Sequence, residues 1–244
     1  DEGQSDLYEG YKLHSEIAAD DPIVQACDLY GLNRWPDGFP VMQVAVTEYW
    51  QAMDKLSENL LHAIAVLLDL PVSNLLAMLD MPLTNMTLLH YPPVERDEGA
   101  EKQSEKGRAP FGIHPHKDTD LFTLLYPDAV GGLELKTRAG EWIEASGPEE
   151  AIIVNAGNML ETFSGGRILS TPHRVINDSG KERYSFPYFV VPRYDVVIEP
   201  LLEPLPGFEW KPVSSGFIST EVWRTNKPDE VASDLDLNLG SLQR

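Results

Sequence analysis

LFTLLYPDAVGGLELKTRAGEWIEASGPEEAIIVN, residues 121–155, is the stretch that decides the fold. It holds four apolar runs, at 121–126, 133–137, 142–144 and 151–155, each too short for an ordinary helix. Pro127-Asp128, Gly131-Gly132, Ala139-Gly140 and Gly147-Pro148 separate them, and such pairs favour turns. The pattern predicts short strands joined by tight connections. It continues outward. Further strand-like runs stand at 173–176, 184–191 and 196–198, with a turn at Asp178-Ser179-Gly180. Upstream, 86–91 reads as a strand stopped by Pro92-Pro93, and the charged segment 95–108 with its two glycines reads as a loop. Many short strands at this spacing suggest an antiparallel barrel or jelly roll. Before them the period changes. Val44, Tyr49, Met53, Leu56, Leu60, Ile64 and Leu67 recur mostly at three- and four-residue steps, which predicts a helix over 41–70 ended by Pro71. A shorter helix is expected from Pro71 to about Leu79. The first 40 residues are mixed, with turns at Gly31-Leu32-Asn33 and Pro36-Asp37-Gly38, and the tail 227–244 is acidic and polar.

The expected class is therefore mainly β with flanking helices. A chain of 244 residues fits one domain. Within it, 1–82 is expected as a helical support region, 83–200 as the jelly-roll catalytic core and 201–244 as a C-terminal extension. The net charge is −20, from 39 acidic and 19 basic residues, so nucleic acid and anionic membrane are poor partners. No apolar run is long enough to span a bilayer, and the N-terminal residues show no secretion leader. The single cysteine, Cys27, permits no intramolecular disulfide and fits a reducing compartment. A cytoplasmic monomer acting on a small molecule is the expectation.

The segment Gly112-Ile113-His114-Pro115-His116-Lys117-Asp118-Thr119-Asp120 concentrates metal-capable side chains. Residues two apart on an extended chain share a face, so His116 and Asp118 can offer an imidazole and a carboxylate to one ion. His173 opens a later strand and can supply a third ligand. Two histidines and one carboxylate form the facial triad of non-haem Fe(II) oxygenases, which leaves room for a co-substrate and O2. A His-x-Asp triplet alone is common by chance. His114 and His90 are neighbouring rivals, while His14 and His62 read as structural. Ten residues after His173 stand Arg183-Tyr184-Ser185. Arg183 and Ser185 again share a face, and together they can grip a carboxylate. A surface arginine paired with an acid is the bland alternative.

The ordered set His116-x-Asp118, His173 and Arg183-x-Ser185 resembles the isopenicillin N synthase-like class of Fe(II)/2-oxoglutarate-dependent dioxygenases. Flanking residues resemble it too: Leu89-His90-Tyr91-Pro92-Pro93, Thr123-Leu124-Leu125, Gly131-Gly132-Leu133-Glu134-Leu135, Trp142-Ile143, Val154-Asn155-Ala156-Gly157-Asn158, and the run from Ser164 to Val175. The resemblance implies a double-stranded β-helix with Fe(II) held at one mouth by His116, Asp118 and His173. It implies that Arg183, Ser185 and Tyr91 anchor 2-oxoglutarate. The reaction implied is O2-dependent hydroxylation of a C–H bond with release of succinate and CO2. Asp118 favours hydroxylation or desaturation over halogenation, where a small residue replaces the carboxylate. Two alternatives stay open: an Fe(II) oxidase whose Arg183 and Ser185 hold the substrate's own carboxylate, and a non-catalytic metal-binding jelly roll. The chain departs from the family pattern at Leu89, Asn158 and Pro187. The resemblance further implies that an N-terminal stretch typical of members is missing. Phe163, Phe189, His90 and His114 are expected in the pocket wall, and Phe111 with Arg108 in a lid.

Overall fold

The structure is a computed structural model, and it describes residues 6–94, 111–148 and 150–226. In chain order the elements are β1 (Glu9–His14), α1 (Pro22–Ala26), α2 (Pro40–Leu68), α3 (Val72–Ala77), β2 (Asn85–Tyr91), β3 (Phe111–His116), β4 (Phe122–Tyr126), β5 (Leu133–Lys136), β6 (Trp142–Glu144), β7 (Ile153–Ala156), α4 (Asn158–Phe163), β8 (His173–Ile176), β9 (Arg183–Val190), β10 (Val197–Ile198), β11 (Val213–Ser214) and α5 (Ser215–Asn226). The major sheet runs β1-β2-β9-β4-β7 and the minor sheet β3-β8-β5-β6, with every pairing antiparallel. The chain passes back and forth between the two sheets, as a jelly roll requires.

The major sheet has two different faces. Its outer face packs under α2. Tyr188 is fully buried there, with Trp50 edge-on at 5.0 Å between ring centroids and its hydroxyl donated to Asp54. Burial raises the Asp54 carboxyl above the usual carboxylate range. Leu61, Leu75, Met86, Phe122, Leu124 and Phe163 belong to the same core. The inner face meets the minor sheet through a smaller cluster of Leu89, Tyr91, Leu133 and Val175. Gly112 makes one close approach possible, because a Cβ there would stand 2.7 Å from the Tyr91 ring.

The long helix starts at Pro40, at a first-turn position where no amide partner is lost, and closes on Asp69 in the left-handed region. Its buried stripe is Met53, Ser57, Leu61, Ala65 and Leu68. Tyr49, Leu56, Leu60 and Ile64, expected on the apolar face, flank that stripe and are partly buried against the core. Val44 and Leu67 do not. They are 57% and 72% exposed, because the stripe lies one residue round the helix from the position expected. Elements that escaped the sequence reading include β1, which extends the major sheet beside β2, and the helices α4 and α5. The β2–β9 ladder pairs Met86 with Tyr188 and resumes at Leu89 with Ser185. The gap falls opposite Pro187, which has no N–H to donate. The tail 227–244 and the loop 95–108 lie outside the described residues. Among the described residues, no helix is long and apolar enough to cross a membrane.

Candidate metal centre

One pocket opens between the two sheets, and all six expected site residues line it: Tyr91, His116, Asp118, His173, Arg183 and Ser185. His116 ends β3 and His173 begins β8, and these two residues pair directly across the minor sheet. Their rings lie 4.2 Å apart, centroid to centroid. Asp118 sits two residues beyond the end of β3. It is held because the backbone N–H of Asn158, at the start of α4, donates to its carbonyl at 2.8 Å. The departure at Asn158 therefore leaves this main-chain bond intact. Ligand atoms of His116, Asp118 and His173 all fall within 4.8 Å of one another, the spacing of groups around one ion.

The donor atoms are oriented from behind. The Nδ1 of His116 lies 2.7 Å from the carbonyl of His114, and that of His173 lies 3.1 Å from the carbonyl of Thr171. Each contact places the proton on Nδ1 and leaves the Nε2 lone pair facing Asp118. Those Nε2 atoms are 3.7 Å and 3.5 Å from Oδ1 of Asp118. Burial, and then the neighbouring His173, hold the His116 imidazole below the ordinary histidine range, which favours the neutral form a metal needs. The other carboxylate oxygen, Oδ2, accepts from Thr123 Oγ1 at 2.6 Å and from Asn155 Nδ2 at 2.7 Å. Thr123 Oγ1 also lies 2.9 Å from Asp120, which is buried and whose pKa is raised first by burial and then by the charge of Asp118. Glu161 on α4 joins the segments on either side of the site, binding Lys117 Nζ at 3.2 Å and the Ser170 N–H at 3.3 Å.

Arg183 and Ser185 point inward from β9, as their spacing predicts. Arg183 is 1% exposed. Its Nε donates to the Gly131 carbonyl at 2.6 Å, and its guanidinium lies over the Tyr91 ring at 4.6 Å. Its Nη1 has no hydrogen-bond partner among the described residues. The Tyr91 hydroxyl lies beside Ser185 and Arg183; burial raises its pKa, against the pull of Arg183. A buried cation with a free N–H, a tyrosine and a serine around it can take a carboxylate. The fit to a two-ended ligand is thus physical: a His2Asp donor set at one end and an orphaned guanidinium nitrogen at the other.

The expected wall is only partly right. Phe189 lines the pocket, but Phe163 is buried in the core on the helix side of the major sheet. His90 faces outward, since Leu89 and Tyr91 on either side of it face in. It stacks on Tyr184 and bridges Glu9 and Glu182, whose carboxylates raise its pKa, Glu182 first. His114 turns to Asp6, 2.5 Å away, and packs on Phe111. Phe111 is not among the pocket-lining residues; its ring also lies 5.5 Å from the Arg174 guanidinium. Arg108 lies outside the described residues. Thr123 and Asn155 are functional side chains that the motif spacing does not single out. A polar side chain inside an apolar strand run was the available sign for both.

A family model described as the 2OG-Fe(II) oxygenase superfamily matches residues 83–192. The chain is 35% identical over 189 residues to the 2-oxoglutarate-Fe(II) type oxidoreductase hxnY of Emericella nidulans, covering 75% of this chain and 52% of that one. It is 30% identical over 239 residues to a 1-aminocyclopropane-1-carboxylate oxidase of Dictyostelium discoideum, covering 86% and 64%. Its fold matches a full-length Neurospora crassa protein crystallised in complex with alpha-KG and thymine, with a TM-score of 0.75, 25% identity, and 92% and 66% of the two chains covered. The chain thus spans between half and two thirds of the length of these proteins.

Proposed function

Because the chain belongs to the 2OG-Fe(II) oxygenase superfamily, we propose that it is an Fe(II)- and 2-oxoglutarate-dependent dioxygenase that hydroxylates an unactivated C–H bond of a small molecule. One observation carries the reading: a single pocket holds a His2Asp cluster together with a buried arginine whose Nη1 lacks a partner among the described residues. In this reading His116, Asp118 and His173 hold Fe(II), and Arg183, Ser185 and Tyr91 hold the distal carboxylate of 2-oxoglutarate. The bound iron supplies the O2-dependent oxidation, with 2-oxoglutarate converted to succinate and CO2. The chain's own residues do the rest. The carbonyls of His114 and Thr171 keep both Nδ1 protons in place, so both Nε2 atoms stay available. Arg183 supplies the one permanent positive charge among the described pocket-lining residues, which matters in a chain of net charge −20. Leu89, Ile113, Leu125, Leu133, Val175 and Phe189 exclude water around it. The division of labour we propose is a single domain, with 83–200 as its catalytic core, 1–82 as its support and 201–244 as an extension.

Anaerobic titration of the Fe(II)-loaded protein with 2-oxoglutarate tests this. A visible charge-transfer band and succinate formation on admission of O2, even without substrate, are the expected results. Likeness to a protein named as a 1-aminocyclopropane-1-carboxylate oxidase supports a second reading, in which Arg183 and Ser185 hold the substrate's own carboxylate. Iron held by the triad with no band and no succinate would select that reading.

A further inference from the structure

The two oxygens of Asp118 are treated differently by the fold. Oδ1 is the oxygen measured against both imidazole nitrogens, at 3.7 Å and 3.5 Å. Oδ2 is occupied by Thr123 Oγ1 and Asn155 Nδ2. These two donors come from neighbouring strands, β4 and β7, and Thr123 and Asn155 are direct cross-strand partners. Side chains of such a pair leave the sheet on the same face, close together. The β4–β7 register therefore delivers two donors to one carboxylate oxygen. Asp118 is only 7% exposed, so water does not compete freely for that oxygen.

We infer that Thr123 and Asn155 are positioning residues that hold Asp118 to one-oxygen ligation, and so keep three metal positions free for the keto acid and O2. The inference rests on the metal site proposed above. A carboxylate with both oxygens free can grip a cation with two atoms. On a six-coordinate ion, two imidazoles and a two-oxygen carboxylate would leave two positions. A chelating keto acid would fill both, and O2 would have none. Two hydrogen bonds on Oδ2 remove that option without adding a charge. Thr123 Oγ1 also touches Asp120, so its hydroxyl is shared, whereas among the described residues the Asn155 side-chain amide donates to Asp118 alone.

Mn(II) alone, then Mn(II) with 2-oxoglutarate, tests the inference without turnover. Electron paramagnetic resonance in 17O-enriched water counts metal-bound waters. The native protein should show about three waters. Asn155→Leu and Thr123→Val should each show fewer. Once 2-oxoglutarate is added, the native protein should keep about one metal-bound water and each variant about none. Thr123→Ser, which restores the hydroxyl, should restore both readings. A merely structural role would weaken metal and 2-oxoglutarate binding together at an unchanged water count. That count, unchanged in both variants, overturns the inference while leaving the proposed function standing. Mn(II) bound equally well by native protein and His173→Ala would instead overturn the metal site, and the inference with it.

Discussion

Replacing Arg183 by methionine should separate what the arginine does for the fold from what it does for the ligand. The guanidinium is a buried cation at 1% exposure, and among the described residues its Nη1 has no partner. Desolvating such a charge costs several kcal/mol. Against that stand the 2.6 Å bond from Nε to Gly131 and the stacking on Tyr91. Those contribute roughly 1.5–3 and 0.5–2 kcal/mol. The terms nearly cancel, so Arg183→Met should leave the ligand-free stability within about 1 kcal/mol of native, a Tm change of no more than about 4 °C. Ligand binding should behave otherwise. Losing one partner of a buried, hydrogen-bonded charge pair costs about 2–5 kcal/mol, and 2.7 kcal/mol corresponds to about 100-fold in Kd. At a 2-oxoglutarate concentration 100 times the native Kd, binding stabilises the native protein by about 2.7 kcal/mol, but a 100-fold weakened variant by only about 0.4. In Tm that is about 5–11 °C against about 1–2 °C. Differential scanning fluorimetry of the Mn(II)-loaded proteins, with and without 2-oxoglutarate, reads both numbers. A ligand-dependent rise of native size in Arg183→Met would refute the carboxylate anchor. A large fall in ligand-free Tm would refute the cancellation and make the arginine a structural residue.

His173→Ala should lower Fe(II) or Mn(II) affinity by at least about 100-fold, measured by anaerobic equilibrium dialysis, because two remaining ligands cannot fill one face of the ion. Tyr188→Phe removes the hydroxyl that donates to Asp54, an exposed carboxylate that water can still solvate, and should cost about 0.5–1.5 kcal/mol in urea unfolding while 2-oxoglutarate affinity, read by titration, stays within about twofold. The His90 clamp predicts a pH dependence. Glu182 and Glu9 raise the folded-state pKa of His90, so its stabilisation is complete below the ordinary histidine value and is lost as pH rises through the raised one. His90→Asn should flatten the fall in stability over that interval, and parallel native and variant curves from denaturation at several pH values would refute the clamp.

The parts of the site readable from sequence are those where neighbours in the chain are also neighbours in space. Arg183 and Ser185 lie on one uninterrupted strand, so their spacing alone places them together. The donors on Asp118 were not readable that way. Thr123 and Asn155 meet only through the pairing of β4 with β7, and nothing local in either strand specifies that partner. The missed elements have equally concrete causes. β1 carries only Tyr11 and Leu13 as large inward apolar groups and is mostly exposed. α4 has six residues, too few to display a helical period, although its first amides hold the segment carrying Asp118. α5 mixes apolar residues with serine and threonine over 12 residues and so carries no clear stripe.

The histidines show where the alternation argument is sound and where it fails. On β2 it was sufficient: once Tyr91 is read as facing the pocket, His90 must face away, and it does. On β3 the same rule misleads. His114 and His116 are two apart and should share a face, yet Ile113 and His116, three apart, are the pair that lines the pocket. The β3–β8 pairing shifts register between Phe111 and Ile113 and again between Ile113 and His116, where Pro115 interrupts the ladder. The irregularity turns His114 outward to Asp6 and leaves its carbonyl 2.7 Å from Nδ1 of His116. Straightening the strand would therefore exchange one imidazole for another and also remove the acceptor that fixes the His116 tautomer. Selection between two histidines separated by one residue is made by the break in the strand, which is why the motif supplies the candidates and the backbone decides which of them reaches the site.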